Sequence, residues 1–192
     1  MKYPFIYLAS QSPRRRELLS QIAVSFTVIN AAIDEAQYKD ELPKDYVTRL
    51  AQQKAQAGAA QCADGNPVLG ADTIVVLDQQ ILGKPRDAAH ARDMLLQLSG
   101  NTHQVMTAVS VAHGQQQKTL VSISDVRFRV MTDNEIKDYC ATEEPLDKAG
   151  AYAIQGQAAV FIEHLSGSYS GVMGLPLFET AQLFRSYGFS FV

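Results

Sequence analysis

Leu8-Ala9-Ser10-Gln11-Ser12-Pro13-Arg14-Arg15-Arg16-Glu17 is the stretch on which the fold turns. Ahead of it, Phe5-Ile6-Tyr7-Leu8-Ala9 is a short apolar run that reads as a buried strand. Ser12-Pro13 then reads as a helix start: a hydroxyl cap, followed by a residue whose fixed φ suits the first helical position. Three arginines fill the first turn of that helix. This is the unfavourable end for cations, because the helix dipole is positive there. Arginines stacked on free backbone N–H groups point to an anion held between them, a polyphosphate above all. A solvated basic helix start is the plainer alternative. Successive residues are ~100° apart around a helix, so at most two of the three can aim at one ligand.

Composition narrows the class of ligand. The chain has 192 residues, 46% hydrophobic and 19% charged, as expected of a soluble globular protein with room for a real core. We expect one domain over residues 1–192. A net charge of -3 gives no support to a nucleic-acid binder, so a local basic cluster suggests a small anionic ligand instead. No apolar stretch approaches the ~20 residues of a membrane span. Met1-Lys2-Tyr3-Pro4 reads as too short to be a signal peptide. Cys62 and Cys140 are isolated and the four histidines scattered, so neither a zinc quartet nor a disulfide framework is in view. The expected setting is reducing and cytoplasmic.

Beyond the first helix, Val24–Val28 alternates like a strand, and a polar, acidic loop runs from Asn30 to Pro43. A long helix is predicted over Lys44–Gln61, with Tyr46, Val47, Leu50, Ala51 and Ala55 as its apolar stripe. Lys54 shares that face; it either snorkels to water or reaches into a cleft. Val68–Leu77 reads as a strand, Gln79-Gln80 as a hairpin turn into Ile81-Leu82, and Ala88–Leu98 as a helix. Two long strands are expected, His103–His113 and Lys118–Met131, joined at Gly114-Gln115. Thr132-Asp133-Asn134-Glu135 is a capping box that opens a helix to Ala141. Leu146–Gly156 reads as a loop, Val160-Phe161-Ile162 as a strand, and a final helix follows Gly174-Leu175-Pro176. Strands interleave with helices and hairpins also occur, which predicts an α/β fold built on a mixed sheet with flanking helices.

Chemistry concentrates at three further places. Asp72 lies mid-strand among apolar neighbours, where a carboxylate is costly unless compensated. It reads as a general base or a metal ligand, or else as a strand-end cap. Neighbouring Gly70 would let a ligand approach the backbone closely. Gly83-Lys84-Pro85-Arg86-Asp87 adds two cations in a loop; Lys84 suits phosphate, and Asp87 suits a helix cap. In Asp147–Gly156, Gln155 offers a donor and acceptors suited to a nucleobase edge, and Tyr152 either stacks on a base or belongs to the core. Walker A, G-x-G-x-x-G and H-E-x-x-H are absent. Gly167-Ser168-Tyr169-Ser170-Gly171 has tyrosine where a nucleophile elbow needs serine, and reads as a turn.

Taken in order, Leu8–Arg15, Gly70-Ala71-Asp72-Thr73, Gly83–Asp87, Leu98-Ser99-Gly100, Glu144–Tyr152 and Gly174-Leu175-Pro176 resemble the Maf family of nucleotide pyrophosphatases over nearly the whole chain. Asp147-Lys148-Ala149-Gly150-Ala151-Tyr152 with Ile154-Gln155-Gly156 is similar to the branch acting on dTTP and UTP; Ala153 stands where that branch has glycine. The resemblance implies an elongated mixed sheet with two lobes around a cleft, related to inosine-triphosphate pyrophosphatases. It implies Asp72 as proton acceptor and Arg14, Thr73 and Gln155 at positions tied to substrate choice. Ser10, Arg15, Lys54 and Lys84 match other pocket positions. Glu35 and Asp72 would hold a divalent cation, Mg²⁺ or Mn²⁺. The implied partners are a small nucleotide and a second copy in a homodimer, with neither nucleic acid nor membrane. A nucleotide-sensing regulator of septum formation without turnover is the rival reading; it predicts retained cations beside a degraded acid.

Overall fold

A computed structural model describes residues 5–142 and 144–189. Strand β1 (Phe5–Ala9) turns within a few residues into helix α1 (Pro13–Gln21), and β2 (Ser25–Val28) returns parallel to β1. Helix α2 (Pro43–Ala59) leads to β3 (Val68–Leu77), which also runs parallel to β1. From there the chain switches to antiparallel pairing. β4 (Gln80–Leu82) folds back on β3; after helix α3 (Ala88–Leu98), β5 (Thr102–His113), β6 (Gln116–Phe128) and β7 (Ile162–Ser166) extend the sheet. The seven-stranded order is β2-β1-β3-β5-β6-β7 with β4 on β3, a mixed sheet as expected. Helix α4 (Asp133–Cys140) and the short helices α5 (Tyr169–Met173) and α6 (Leu177–Arg185) complete the layers.

Both faces of β3 are covered, which is why it reads as a near-continuous apolar run. On one face, Val47 and Ala51 of α2 pack with Ile74, Val76, Met106 and Ala108. On the other, Leu69, Ala71 and Val75 join a larger core with Leu19, Leu95, Phe128 and Phe184. Gly70 lies under α2: a Cβ there would stand 2.4 Å from the Ala51 carbonyl oxygen and 2.4 Å from the Ala55 nitrogen. The close approach that the sequence assigned to a ligand is made by a helix backbone.

The edge of β3 explains where a cleft can open. β1 pairs with β3 only as far as Gly70, and β4 begins its pairing at Val75. Both lie on the edge opposite β5, so Ala71–Ile74 has no strand beside it on that side. The sheet is notched there, and the notch separates the β1–β2 arm from the β4 hairpin.

Several sequence expectations need correction. The β3–β4 turn is Asp78-Gln79, both at positive φ (48° and 67°), the backbone of a tight two-residue hairpin rather than a Gln79-Gln80 turn. Gln157–Phe161 is a 3-10 turn and the last strand starts at Ile162; Val160 is 70% exposed, so its apolar character reports no strand. Part of Leu146–Gly156 is not loop, because 3-10 turns occupy Glu144–Asp147 and Ala149–Ala151. The Gly167–Gly171 stretch runs into helix α5, whose N-cap Ser168 accepts from the Gly171 N–H. The Thr132–Glu135 capping box and the Asp87 cap form as read.

Candidate active site

The notch opens into a cavity of about 770 Å³, within the range of small-molecule sites. Every site residue expected from the sequence lines it: Ser10, Arg14 and Arg15 from the β1–α1 turn, Glu35 and Lys54 from the acidic loop and α2, and Asp72, Thr73, Lys84 and Gln155 from β3 and the later loops. Arg16 is exposed and lies outside it.

The α1 end brings Arg14, Arg15 and uncapped backbone amides to the cleft. Ser12 stands at the N-cap but its hydroxyl makes no cap bond, contrary to the sequence expectation, and Pro13 has no N–H. The Arg14 and Arg15 amides therefore have no acceptor inside the helix. Arg15 is fixed from three sides. Its Nε donates to the Gly174 carbonyl at 2.7 Å, one terminal nitrogen to Ser10 Oγ at 3.0 Å, and the other to Thr73 Oγ1 at 3.1 Å. Burial pulls its guanidinium pKa down, opposed by the Asp72 charge. Gly174 holds φ at 118°, which suits glycine, as it turns its carbonyl to Arg15. Thr73 is held in turn by Thr107, 3.0 Å away. Thr107 has one proton and also lies 2.7 Å from the Gly171 carbonyl, which can only accept; so Thr73 is the donor between the two hydroxyls.

Asp72 is 9% exposed and is compensated, as a carboxylate there must be. Lys54 Nζ lies 2.7 Å from Asp72 Oδ1 and 2.6 Å from Glu35 Oε1. Of the two readings of Lys54, the structure supports the cleft rather than snorkelling. Burial pushes the Glu35 carboxyl up, but the Lys54 hydrogen bond and charge, aided by Lys84 and Arg15, outweigh it and hold it below its usual value. The Glu35 backbone is gripped from α2: the Tyr46 hydroxyl donates to the Glu35 carbonyl at 2.8 Å, and Arg49 donates to the Ala36 carbonyl at 3.0 Å. Arg49 also forks onto Glu41 at 2.6 and 2.7 Å.

Two carboxylates thus converge on one cation position, filled by an ammonium. Among the described residues no group of three His, Cys, Asp or Glu could hold a metal. The donor set suits Mg²⁺, which binds through one or two carboxylates with substrate phosphates and water completing its shell.

Gln155 is exposed to the cleft, whereas Tyr152 is core. The Tyr152 hydroxyl lies 2.8 Å from His103 Nε2, and its ring meets Phe128 edge-on at 4.9 Å. Sequence reading placed Tyr46 only in the apolar stripe of α2 and singled out no role for Asp147, Lys148 or Thr107. Asp147 and Lys148 are ion-paired and both line the cleft; burial raises the Asp147 carboxyl, while Lys148 and then Arg14 lower it to a net depression. Their place in a motif already quoted was the available signal. Thr107 had none, because it faces Thr73 only through the β3–β5 register.

A cleft lined by several cations and by the carboxylates of Glu35, Asp72 and Asp147 fits the class of enzymes that act on phosphate esters or anhydrides. The family model described as Maf-like protein matches residues 5–187, and the chain belongs to that family. It is 53% identical over 182 residues to a dTTP/UTP pyrophosphatase of Escherichia coli (strain K12), covering 95% of this chain and 92% of that one. It is 52% identical over 197 residues to a dTTP/UTP pyrophosphatase of Aromatoleum aromaticum, covering 96% of each. Among solved structures, a nucleoside-triphosphatase (dITP/XTP pyrophosphatase) from Mycobacterium abscessus is similar at a TM-score of 0.44 and 16% identity, over 65% of this chain and 74% of that one. That likeness is too loose to carry chemistry. No helix among the described residues is long and apolar enough to cross a membrane.

Proposed function

We propose that this chain hydrolyses dTTP and UTP to the nucleoside monophosphate and pyrophosphate. The observation that carries the proposal is the convergence, in one notch, of the free α1 terminus and Arg14, Arg15, Lys54, Lys84 and Lys148 beside the Asp72–Glu35 pair. The names of relatives at 52–53% identity supply the substrates. A nucleoside triphosphate carries about four negative charges, and catalysis of phosphoryl chemistry is mainly positioning and charge neutralisation. In this reading Arg14, the α1 amides, Lys84 and Lys148 grip the phosphates, and Arg15, locked by Gly174, Ser10 and Thr73, offers its remaining N–H groups. Asp72 takes a proton from a water that attacks the α-phosphorus. The bond from that phosphorus to its bridging oxygen breaks, and pyrophosphate leaves on the cations. Glu35 and Asp72 would hold a divalent cation, which when bound neutralises phosphate charge and eases deprotonation of water. Gln155 reads the base: its amide accepts from N3–H of uracil or thymine while donating to a flanking carbonyl. The protein works as a cytoplasmic homodimer in this proposal.

A regulator without turnover is not favoured, because it predicts a degraded acid and both carboxylates stand in the cleft. Incubating the protein with dTTP, UTP, CTP, GTP and ATP plus Mg²⁺ and identifying the first products tests the proposal. UMP with pyrophosphate is expected; UDP with orthophosphate, or no turnover, overturns it.

A further inference from the structure

Glu144 lies just after α4 and engages both carboxylate oxygens. Oε1 accepts from the Tyr139 hydroxyl at 2.8 Å, and Oε2 accepts from the Gln157 backbone N–H at 3.1 Å. Tyr139 is buried, so one end of this link is anchored in the core. The other end holds the turn that carries Gln155. That turn closes through the Gly156 N–H, which donates to the Ala153 carbonyl at 3.0 Å, and its Gly156 lies against the carboxylate. A Cβ on Gly156 would stand 2.3 Å from Glu144 Oε1. A side chain at Gly156 would therefore displace the Glu144 carboxylate from its present place.

We infer that Glu144 is a positioning residue for base selection: it fixes the Ala153–Gln157 turn against α4 and thereby sets where the Gln155 amide meets the base. Glu144 does not line the cleft. The inference rests on the reading of Gln155 as the group that recognises the base. Hydrogen-bond discrimination depends on donors and acceptors being placed within a few tenths of an ångström, whereas charge neutralisation of phosphates tolerates more. Arg14, the α1 amides and Lys84 sit on other elements, and Lys148, though close by, donates to the Glu144 backbone carbonyl at 3.4 Å, which a side-chain substitution leaves in place, so freeing the turn should blur base choice before it weakens phosphate binding.

The test is kcat/KM for UTP and for CTP in the wild type and in Glu144→Ala, Glu144→Gln, Gly156→Ala and Gln155→Ala. The UTP/CTP ratio is taken within one preparation and does not depend on the folded fraction. Glu144→Ala and Gly156→Ala should lower that ratio by about tenfold, towards that of Gln155→Ala. Glu144→Gln should keep most of it, since its amide oxygen can accept from the Gln157 N–H and its NH₂ can donate to the Tyr139 oxygen. An unchanged ratio in Glu144→Ala, with Gln155→Ala reduced, overturns the inference while leaving the reading of Gln155 intact. Equal losses in Glu144→Gln and Glu144→Ala overturn the geometric argument in favour of charge. An unchanged ratio in Gln155→Ala refutes the base reader and the inference with it.

Discussion

Lys54 brings its ammonium to 2.7 Å from the Asp72 carboxylate because α2 lies directly on β3 at Gly70, two residues before that aspartate. The same nitrogen reaches Glu35 at 2.6 Å, so the two acids share one cation. Replacing the two partners should therefore have unequal costs. Asp72→Asn leaves Lys54 paired with Glu35. Lys54→Met takes the ammonium from the buried Asp72 carboxylate and leaves a second acid beside it; Glu35, whose side chain is 57% exposed, can turn to water, so the cost falls mainly on Asp72. Thermal unfolding should show the larger drop in Tm for Lys54→Met; the reverse order would mean that the pair contributes little.

Asp72→Asn should nonetheless lose at least ~10²-fold in turnover of UTP, the scale of a missing general base. The amide is nearly isosteric but can neither take the proton nor offer a full charge to a metal. Near wild-type kcat in a folded variant removes Asp72 from the mechanism.

Arg14→Ala should harm kcat/KM more than Arg16→Ala. Arg14 lines the cleft and its charge reaches Asp147, while Arg16 points ~200° away around the helix and is exposed. Equal effects would show that the cluster acts as a diffuse field.

Gly70→Ala should destabilise the protein although it adds only a methyl. The methyl meets α2 backbone at 2.4 Å, which no rotamer change relieves. Overpacking of this kind costs about 1–3 kcal/mol, and more where backbone must move. Because Lys54 rides on the same helix, kcat should fall with stability; a variant with wild-type Tm would show that α2 shifts freely.

His103 makes a pH-dependent contribution to stability. It is 1% exposed, and burial drives its pKa from 6.5 to about 4. Between those values the unfolded chain binds a proton that the folded protein does not. Stability is therefore undiminished above 6.5 and declines as pH falls towards 4. His103→Gln, whose amide can still meet the Tyr152 hydroxyl, lacks this decline. The Tm gap between wild type and variant should narrow from pH 7 to pH 5, and parallel profiles would show that His103 is not the group responsible.

The local elements were legible in the sequence wherever a local rule governs them. Pro13 after Ser12 starts α1, Asp87 caps α3 through the His90 N–H, and Thr132 with Glu135 closes a capping box, each decided within a few residues of chain. The Val160-Phe161-Ile162 reading failed because a short apolar run has no period of its own: Phe161 is buried by tertiary contacts and Val160 faces solvent.

Residue type was likewise informative: arginines at a helix start and a carboxylate in an apolar strand each raise an electrostatic problem that the sequence alone displays, and the fold gathers them in one cleft. What solves those problems came only with tertiary structure. Asp72 and Thr73 are adjacent on β3 and so point to opposite faces of the sheet; they share one cleft because β1 stops at Gly70 and β4 begins at Val75, leaving the strand edge open between them. Strand register, and the packing of α2 on Gly70 that delivers Lys54, are set by contacts between residues far apart in the chain, and no local pattern records them.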